Sequence, residues 1–292
     1  MRNQEGGNST RVSAPEQTEA DEIEAQEIEA QEIEAQEIEF DLVAGWTEDA
    51  VRELGPEYAI PAGCRGSGSP SDLAWLAEAL QVGPDTRVAD VGSGVGGPAA
   101  WLAGHFGPQP VCAEPMRGAA AAGQRLFGLP TVVAAAEALP LRSGAFDAVE
   151  CLGVLCTVPR PQRPAVLREL RRVLKPEGDL GLLVFVARGP LAGPLPEGND
   201  FPTEEALTAL LAENGFTVVQ TMESDGLAQA PVAWQERADA VDDLLARHHG
   251  DDPRWQRAQQ QTARISRLIG GGHVRPLLVH ARAAGSYGST IR

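Results

Sequence analysis

The chain has 292 residues, 43% of them hydrophobic, enough to bury a proper core in one large domain or two small ones. Of the net charge of −17, residues 1–50 carry −13 (15 acidic and 2 basic side chains) and the remainder only −4 (26 against 22). The acidity therefore belongs to the N-terminal stretch, and nothing resembles the concentrated positive face that a phosphate backbone requires, which excludes a nucleic-acid partner.

The opening MRNQEGGNST is polar and lacks the apolar core of a signal peptide. No run approaches the roughly 20 apolar residues of a membrane span, so a cytoplasmic location and no membrane partner are expected. Residues 22–40 repeat EIEAQ. Ile23, Ile28, Ile33 and Ile38 step by about 140° around a helix and form no apolar stripe. Residues 1–39 are read as a solvated acidic tail, disordered or a lone frayed helix.

From Phe40 the composition changes, with Leu42, Val43, Trp46 and Tyr58 predicting short helical pieces. A loop, PAGCRGSGSP, is expected at 61–70. Ser71 then caps a helix to Leu80, with Leu73, Leu76, Ala77 and Leu80 on one face. Strands are predicted at 86–91, 110–114, 131–135, 146–150, 178–187, 215–222 and 274–283, with helices at 97–106, 116–128, 162–174 and 203–214 between the first six. In the 162–174 helix Val166, Leu167, Leu170, Val173 and Leu174 fall at helical spacing, Lys175 suits the C-terminal dipole and Pro176 stops it. Thr203 caps the helix that Asn214-Gly215 ends. Such alternation predicts an α/β fold, a mostly parallel sheet with helices on both faces. Helices at 232–249 and 253–269 precede the last strand. Their sparse apolar positions suit a cap over the sheet edge and not a second core. The division expected is a tail at 1–39, one domain at 40–285 with cap elements at about 40–70 and 225–272, and a short tail at 286–292.

The strongest local signal is VADVGSGVGGPA at 88–99. A strand runs into Gly92, Gly94, Gly96 and Gly97, and Pro98 opens a helix. Glycine is needed because the chain turns sharply and a ligand must approach the backbone. Gly92, Gly94 and Gly97 also satisfy a dinucleotide pattern, and Glu114 lies 22 residues after Gly92, near that pattern's ribose-binding acid. Asp90 separates the readings. A carboxylate directly before the turn can pair with a cationic cofactor but sits uneasily beside a pyrophosphate. Cys64, Cys112, Cys151 and Cys156 have neither a disulfide framework nor zinc spacing, so reduced thiols and no metal site are expected.

Downstream, AEALPLRSGAFDAVECLGVLCTVP (136–159) and LRELRRVLKPEGDLGLLV (167–184) complete an ordered set with the glycine motif and Glu114. The stretch from about 85 to 190 resembles the class I S-adenosylmethionine-dependent methyltransferases, in particular the small-molecule branch of ubiquinone/menaquinone and sarcosine-type enzymes. The resemblance implies a Rossmann-like seven-stranded sheet with its last strand antiparallel, a small helical cap, and S-adenosyl-L-methionine as cofactor. It implies that Gly92, Gly94 and Gly96 border the methionine and ribose portions and that Asp90 holds the amino group. Glu114 would accept the ribose hydroxyls, Met116 would pack on the adenine, and the backbone around Cys151 would face the methionine end. The family's adenine-binding aspartate is replaced by Ala135, which shifts that recognition to the Ala136 backbone and Glu137. Cys156 stands where many relatives carry histidine.

Methyl transfer from a sulfonium needs a base only when the acceptor holds its proton tightly. Glu150 and Tyr58 are the candidates carried forward, with Cys156 and the cap histidines behind them. Glu150 ends a strand expected to be buried, where an unpaired charge is costly. His105 and the His248-His249 pair each sit at a helix C-terminus and read as structural. Trp46 and Trp234 are read as either pocket wall or packing. The function expected is methyl transfer to an O, N or C nucleophile of a small molecule in natural-product or intermediary metabolism. The rivals are an NAD(P)-dependent oxidoreductase and a protein of the same fold, a cyclase included, that binds the cofactor without transferring methyl.

Overall fold

Helix α1 runs through residues 40–54. It begins the computed structural model, which describes residues 40–191, 195–224 and 230–285; the acidic repeat and the 286–292 tail lie outside the described residues. A 3-10 turn (Pro56–Tyr58) leads to α2 (Ala59–Gly63). The loop expected at 61–70 is thus shorter, because Pro61 is the third residue of a helix, where a missing N–H costs no intrahelical bond. The next helix, α3 (Pro70–Ala79), is capped by Ser69 and not by Ser71. The Asp72 N–H donates to Ser69 Oγ (3.3 Å) and the Ser69 N–H donates back to Asp72 Oδ2 (2.8 Å), a capping box with Pro70 at the first helical position.

Strand–helix alternation follows: β1 (Val88–Val91), α4 (Gly97–Phe106), β2 (Val111–Glu114), α5 (Arg117–Phe127), β3 (Thr131–Val133), β4 (Phe146–Leu152), α6 (Arg163–Val173), β5 (Leu174–Ala187), α7 (Glu204–Glu213) and β6 (Phe216–Glu223). Two long helices, α8 (Val232–His249) and α9 (Pro253–Gly270), precede β7 (Val274–Ala283). The seven strands form one sheet in the order β3-β2-β1-β4-β5-β7-β6. β7 is antiparallel to both of its neighbours, as the resemblance implied, and the other pairings are parallel. Helix α6 ends at Val173 and not against Pro176. Leu174 is already drawn into the sheet opposite Phe146, and Lys175 reaches Asp147 (2.5 Å).

The two faces of the sheet are packed differently. Against one lie Val166, Leu167, Leu170 and Val173 of α6 and Leu207 and Leu211 of α7, meeting Ala89, Val91, Val149 and Cys151. Against the other lie Leu73, Leu76 and Ala77 of α3 and Trp101 and Leu102 of α4, meeting Val88, Ala148 and Leu152. The cap has more of a core than its sparse pattern predicts. Ala50 and Val51 of α1 and Ala59 and Ala62 of α2 bury against Val241, Leu244 and Leu245 of α8 and Trp255 of α9. Neither cap segment shows a full stripe because each supplies only half of a shared cluster.

Candidate functional site

After Val91 the backbone turns through Gly92, Gly94 and Gly96, all at positive φ (73°, 54° and 83°). Two positions show why side chains are excluded. A Cβ on Gly92 would stand 2.3 Å from Cγ2 of Val154, and one on Gly97 would stand 2.3 Å from the Gly63 carbonyl carbon. The first glycine lets the β4 loop close on the turn; the second lets α2 rest its backbone on the start of α4. At Gly94 a Cβ would meet nothing within 4 Å, so there the turn faces open space.

Glu114, at the tip of β2, ties the turn in place. Its Oε2 accepts from the Gly94 N–H (2.8 Å) and its Oε1 from the Met116 N–H (3.0 Å), so its carboxylate bridges the glycine turn and the start of α5. Ionised carboxylate oxygens can each accept more than one bond, which leaves Glu114 capacity for hydroxyl donors once fixed in this way. It is 2% exposed.

Asp90 is buried beside the turn. One of its oxygens accepts from the Ala99 N–H in the first turn of α4, while Oδ2 has no partner. Burial first, and the Glu114 charge second, hold its acid up at about 7. Glu150 is its register neighbour on β4, wholly buried, with neither carboxyl oxygen partnered. Burial, then the charge of Asp90, raises its acid well above the usual carboxylate range. The Cys64 thiol, at the C-cap of α2, is raised by burial and by both of these carboxyls, which places it against them.

The remaining expected residues fall into place unevenly. Met116 is the half-buried N-cap of α5, Ala136 is buried, and Glu137 is exposed. The Cys151 side chain points into the apolar face opposite to Asp90, leaving backbone at the strand end toward the turn. Tyr58 packs against the cap cluster and is not brought to Glu150, which lies in the sheet interior. Cys156 donates its S–H to the Gly153 carbonyl (3.3 Å), and burial pushes it up to about 11, so it offers no base. His105 donates to the Trp101 carbonyl (2.8 Å) and stacks on that indole. His249 stacks on Trp46 at 3.9 Å, and Trp234 packs beside the α3–α4 cluster.

Several working residues had no reading in sequence. Asp41 of α1 accepts from the Ala119 N–H (2.9 Å) at the start of α5, in room left by Gly118. Glu48 of α1 pairs with Arg125 of α5 (2.5 Å), a second tie between cap and sheet. Glu169 accepts from the Leu139 N–H (3.0 Å), and Arg172 donates to the carbonyls of Leu139 and Leu141 (2.8 Å each). The LREL.R signature is thereby a brace that holds the loop after Ala136. Asp147 of the FD pair accepts from Lys175 and from the Arg87 N–H (3.0 Å), a brace at the opposite end of the strands.

Residues 89–182 match a family model described as a methyltransferase domain. Over 123 residues the chain is 37% identical to methyltransferase GfsG of Streptomyces halstedii, covering 40% of this chain and 44% of that protein, so it spans less than half the length of this relative. Among solved structures, the [4+2]-cyclase SpnF superposes with a TM-score of 0.62 at 22% identity, over 83% of this chain and 95% of that one. The cyclopropane synthase MmaA2 of Mycobacterium tuberculosis does so with a TM-score of 0.60 at 14% identity, over 73% and 83%. The family match spans the glycine turn. Residues 89–182 thus match a methyltransferase domain, and the chain around them has the fold of the class I S-adenosylmethionine-dependent methyltransferases.

Proposed function

We propose that the chain binds S-adenosylmethionine over the C-terminal ends of β1, β2 and β4 and transfers its methyl group to a nucleophilic O, N or C of a small molecule. A place in natural-product or intermediary metabolism fits that reading. The observation that carries it is the unpartnered, buried Asp90 Oδ2 beside a glycine turn locked to Glu114, a cationic-ligand site by its chemistry. The backbone of Gly92, Gly94 and Gly96 would border the methionine and ribose, Asp90 would take the ammonium group, and Glu114 the ribose hydroxyls. Met116 would pack on adenine, the Ala136 N–H and Glu137 would reach its edge, and the Cys151 backbone would line the methionine end. The cofactor supplies a methyl group already activated by its sulfonium. This chain's own residues then have to align the acceptor and exclude water, and alignment of that kind supplies roughly 7–11 kcal/mol.

The cap elements at 40–70 and 225–272 would form the acceptor's side of the cleft, with the α2–α3 segment closing over the turn. Of the two acid–base candidates, Glu150 is sealed in the interior, where it can act through charge but has no path to an acceptor's proton. Tyr58 lies on the cap and is the residue assigned here to the acceptor side. The four buried free thiols accord with a reducing, cytoplasmic setting. Among the described residues no helix is long and apolar enough to cross a membrane.

Calorimetric titration tests the reading directly: S-adenosylhomocysteine should bind at micromolar concentration and NADH should not. The reverse order would sink it. A second reading, cofactor binding without transfer, is favoured by the shared fold of a protein named as a cyclase. Labelled methyl donor offered with candidate acceptors separates the two, since bound donor with no labelled product across acceptor classes would support the second.

A further inference from the structure

Aligning a methyl group does not require the most costly feature of the sheet interior. Asp90 and Glu150 are register partners on neighbouring parallel strands, so both carboxyls leave the sheet on the same face. They are 1% and 0% exposed, and Asp90 Oδ2, Glu150 Oε1 and Glu150 Oε2 have no hydrogen-bond partner. Buried polar atoms are rarely left so, and a cluster of three asks for a ligand. Among the described residues, the groups that face the pair bring no compensating positive side chain. From the α2–α3 segment comes the thiol of Cys64, and from β2 come Glu114 and the Cys112 thiol, while the Cys151 thiol of β4 lies on the opposite face. Asp72 of α3 is occupied by Ser69 and Ser224, and Arg65, the residue after Cys64, lies 3.1 Å from Asp242 of α8. From α4 comes only the Ala99 N–H to Asp90.

Two carboxyls so placed cannot both ionise without a counter-charge, so the empty pair keeps a proton. We propose that Asp90 and Glu150 form one proton-sharing carboxyl pair that receives the ammonium group of the cofactor's methionine end and releases its proton to solvent as that cation enters. This rests on the methyl-donor reading above. The balance is simple: one cation enters, one proton leaves to buffer, and no covalent bond to carbon changes. Asp90 is held at about 7 and Glu150 well above the usual carboxylate range, and the proton kept between them is the one to be exchanged. Cofactor affinity is then gated by pH, rising about tenfold per pH unit for each proton released. The ammonium is common to donor and product, so S-adenosylhomocysteine exchanges the proton as the donor does.

The full chain is titrated with S-adenosylhomocysteine from about pH 5.5 to 8.5, in two buffers that differ in ionisation enthalpy. The expected result is a buffer-dependent heat equivalent to about one proton released per ligand bound, with affinity rising close to tenfold per pH unit. Glu150→Gln keeps the shape of the side chain without its titration; Asp90 still exchanges its own proton below about pH 7, so the slope should fall to less than half of the native value above that. An affinity constant within about twofold across the range, with equal heats in both buffers, overturns the proposal on the native chain alone. So does an undiminished slope above about pH 7 in Glu150→Gln. Absence of binding in every condition instead overturns the methyl-donor reading, and the proposal falls with it.

Discussion

The two faces of one sheet are built to different rules. Along β4, Val149 and Cys151 enter a face covered by α6 and α7, where the buried contacts are hydrocarbon and thiol. Alternate residues of the same strand, Ala148, Glu150 and Leu152, enter the face covered by α3 and α4. That second face collects the buried acids Asp90 and Glu150, and Glu114, two residues from Cys112, leaves β2 on the same side. A strand has no intrinsic reason to carry a carboxyl on one side of a closed interior, because burying it unpaired is costly. The asymmetry is explained if the first face is there to hold the sheet and the second to meet a cation. The same side receives the backbone of α2 at Gly97 and the thiol of Cys64.

The sharpest way to break this comparison is to lift the cap segment off the second face. Gly97→Ala puts a methyl group 2.3 Å from the Gly63 carbonyl carbon and 2.6 Å from the Cys64 nitrogen, where only backbone is available to yield. Overpacking of this kind costs about 1–3 kcal/mol, occasionally more. The expected outcome is a midpoint of thermal unfolding lowered by several degrees, together with loss of S-adenosylhomocysteine binding. An unchanged midpoint would mean that α2 does not rest on α4 as described.

Next in size, and opposite in sign, is removal of the unpaired acid. Asp90 is raised from 3.8 to about 7, and Glu150 is raised as well, so the native state binds more protons than the unfolded one. Stability from this pair is therefore greatest below about pH 4 and is lost as pH rises to about 7, by on the order of 4 kcal/mol for Asp90 as an upper bound. Glu150→Val removes one member and relieves the other. Replacing buried charge by a packed hydrocarbon is often stabilising, by about 1–4 kcal/mol. The variant should unfold at higher temperature than the native chain at pH 7 and match it near pH 4. A gain of equal size at both pH values would assign the effect to packing and remove the electrostatic half of the comparison.

These features differ in how far the sequence announces them. The apolar face was legible because α6 repeats Val166, Leu167, Leu170 and Val173 at helical spacing, a local pattern. The glycine turn was legible for the same reason, since its requirement is a run of adjacent residues. The pairing of Asp90 with Glu150 was not, because it depends on the register of β1 against β4, sixty positions apart, and no local period reports a register. The core of the cap was out of reach in the same way: α1, α2, α8 and α9 each offer part of a cluster that exists only when distant segments meet. Ser71 reads as a cap in sequence because it, too, is a serine ahead of an apolar run, but the cap is Ser69. What decides is Asp72, three residues after Ser69, which completes the reciprocal bond.

The smallest expected effect tests whether the first face contributes to the site at all. Helix α6 buries one side against the sheet, while Arg172, on its outer side, donates to the carbonyls of Leu139 and Leu141 and pairs with Glu169 (2.7 Å). The loop so held begins at Ala136 and Glu137, the stretch assigned to the adenine edge. Arg172→Leu removes these donors but leaves the buried stripe of α6 intact. Hydrogen bonds from a charged group are worth about 1.5–3 kcal/mol when buried, and less here because the guanidinium is about a third exposed. A fall in unfolding midpoint of a few degrees is expected, with a several-fold weaker affinity for S-adenosylhomocysteine and an unaltered dependence of that affinity on pH. The pH dependence is the discriminating readout, since it belongs to the carboxyl pair on the other face. A change in it would show that the two faces are coupled and that the division of labour drawn between them is wrong.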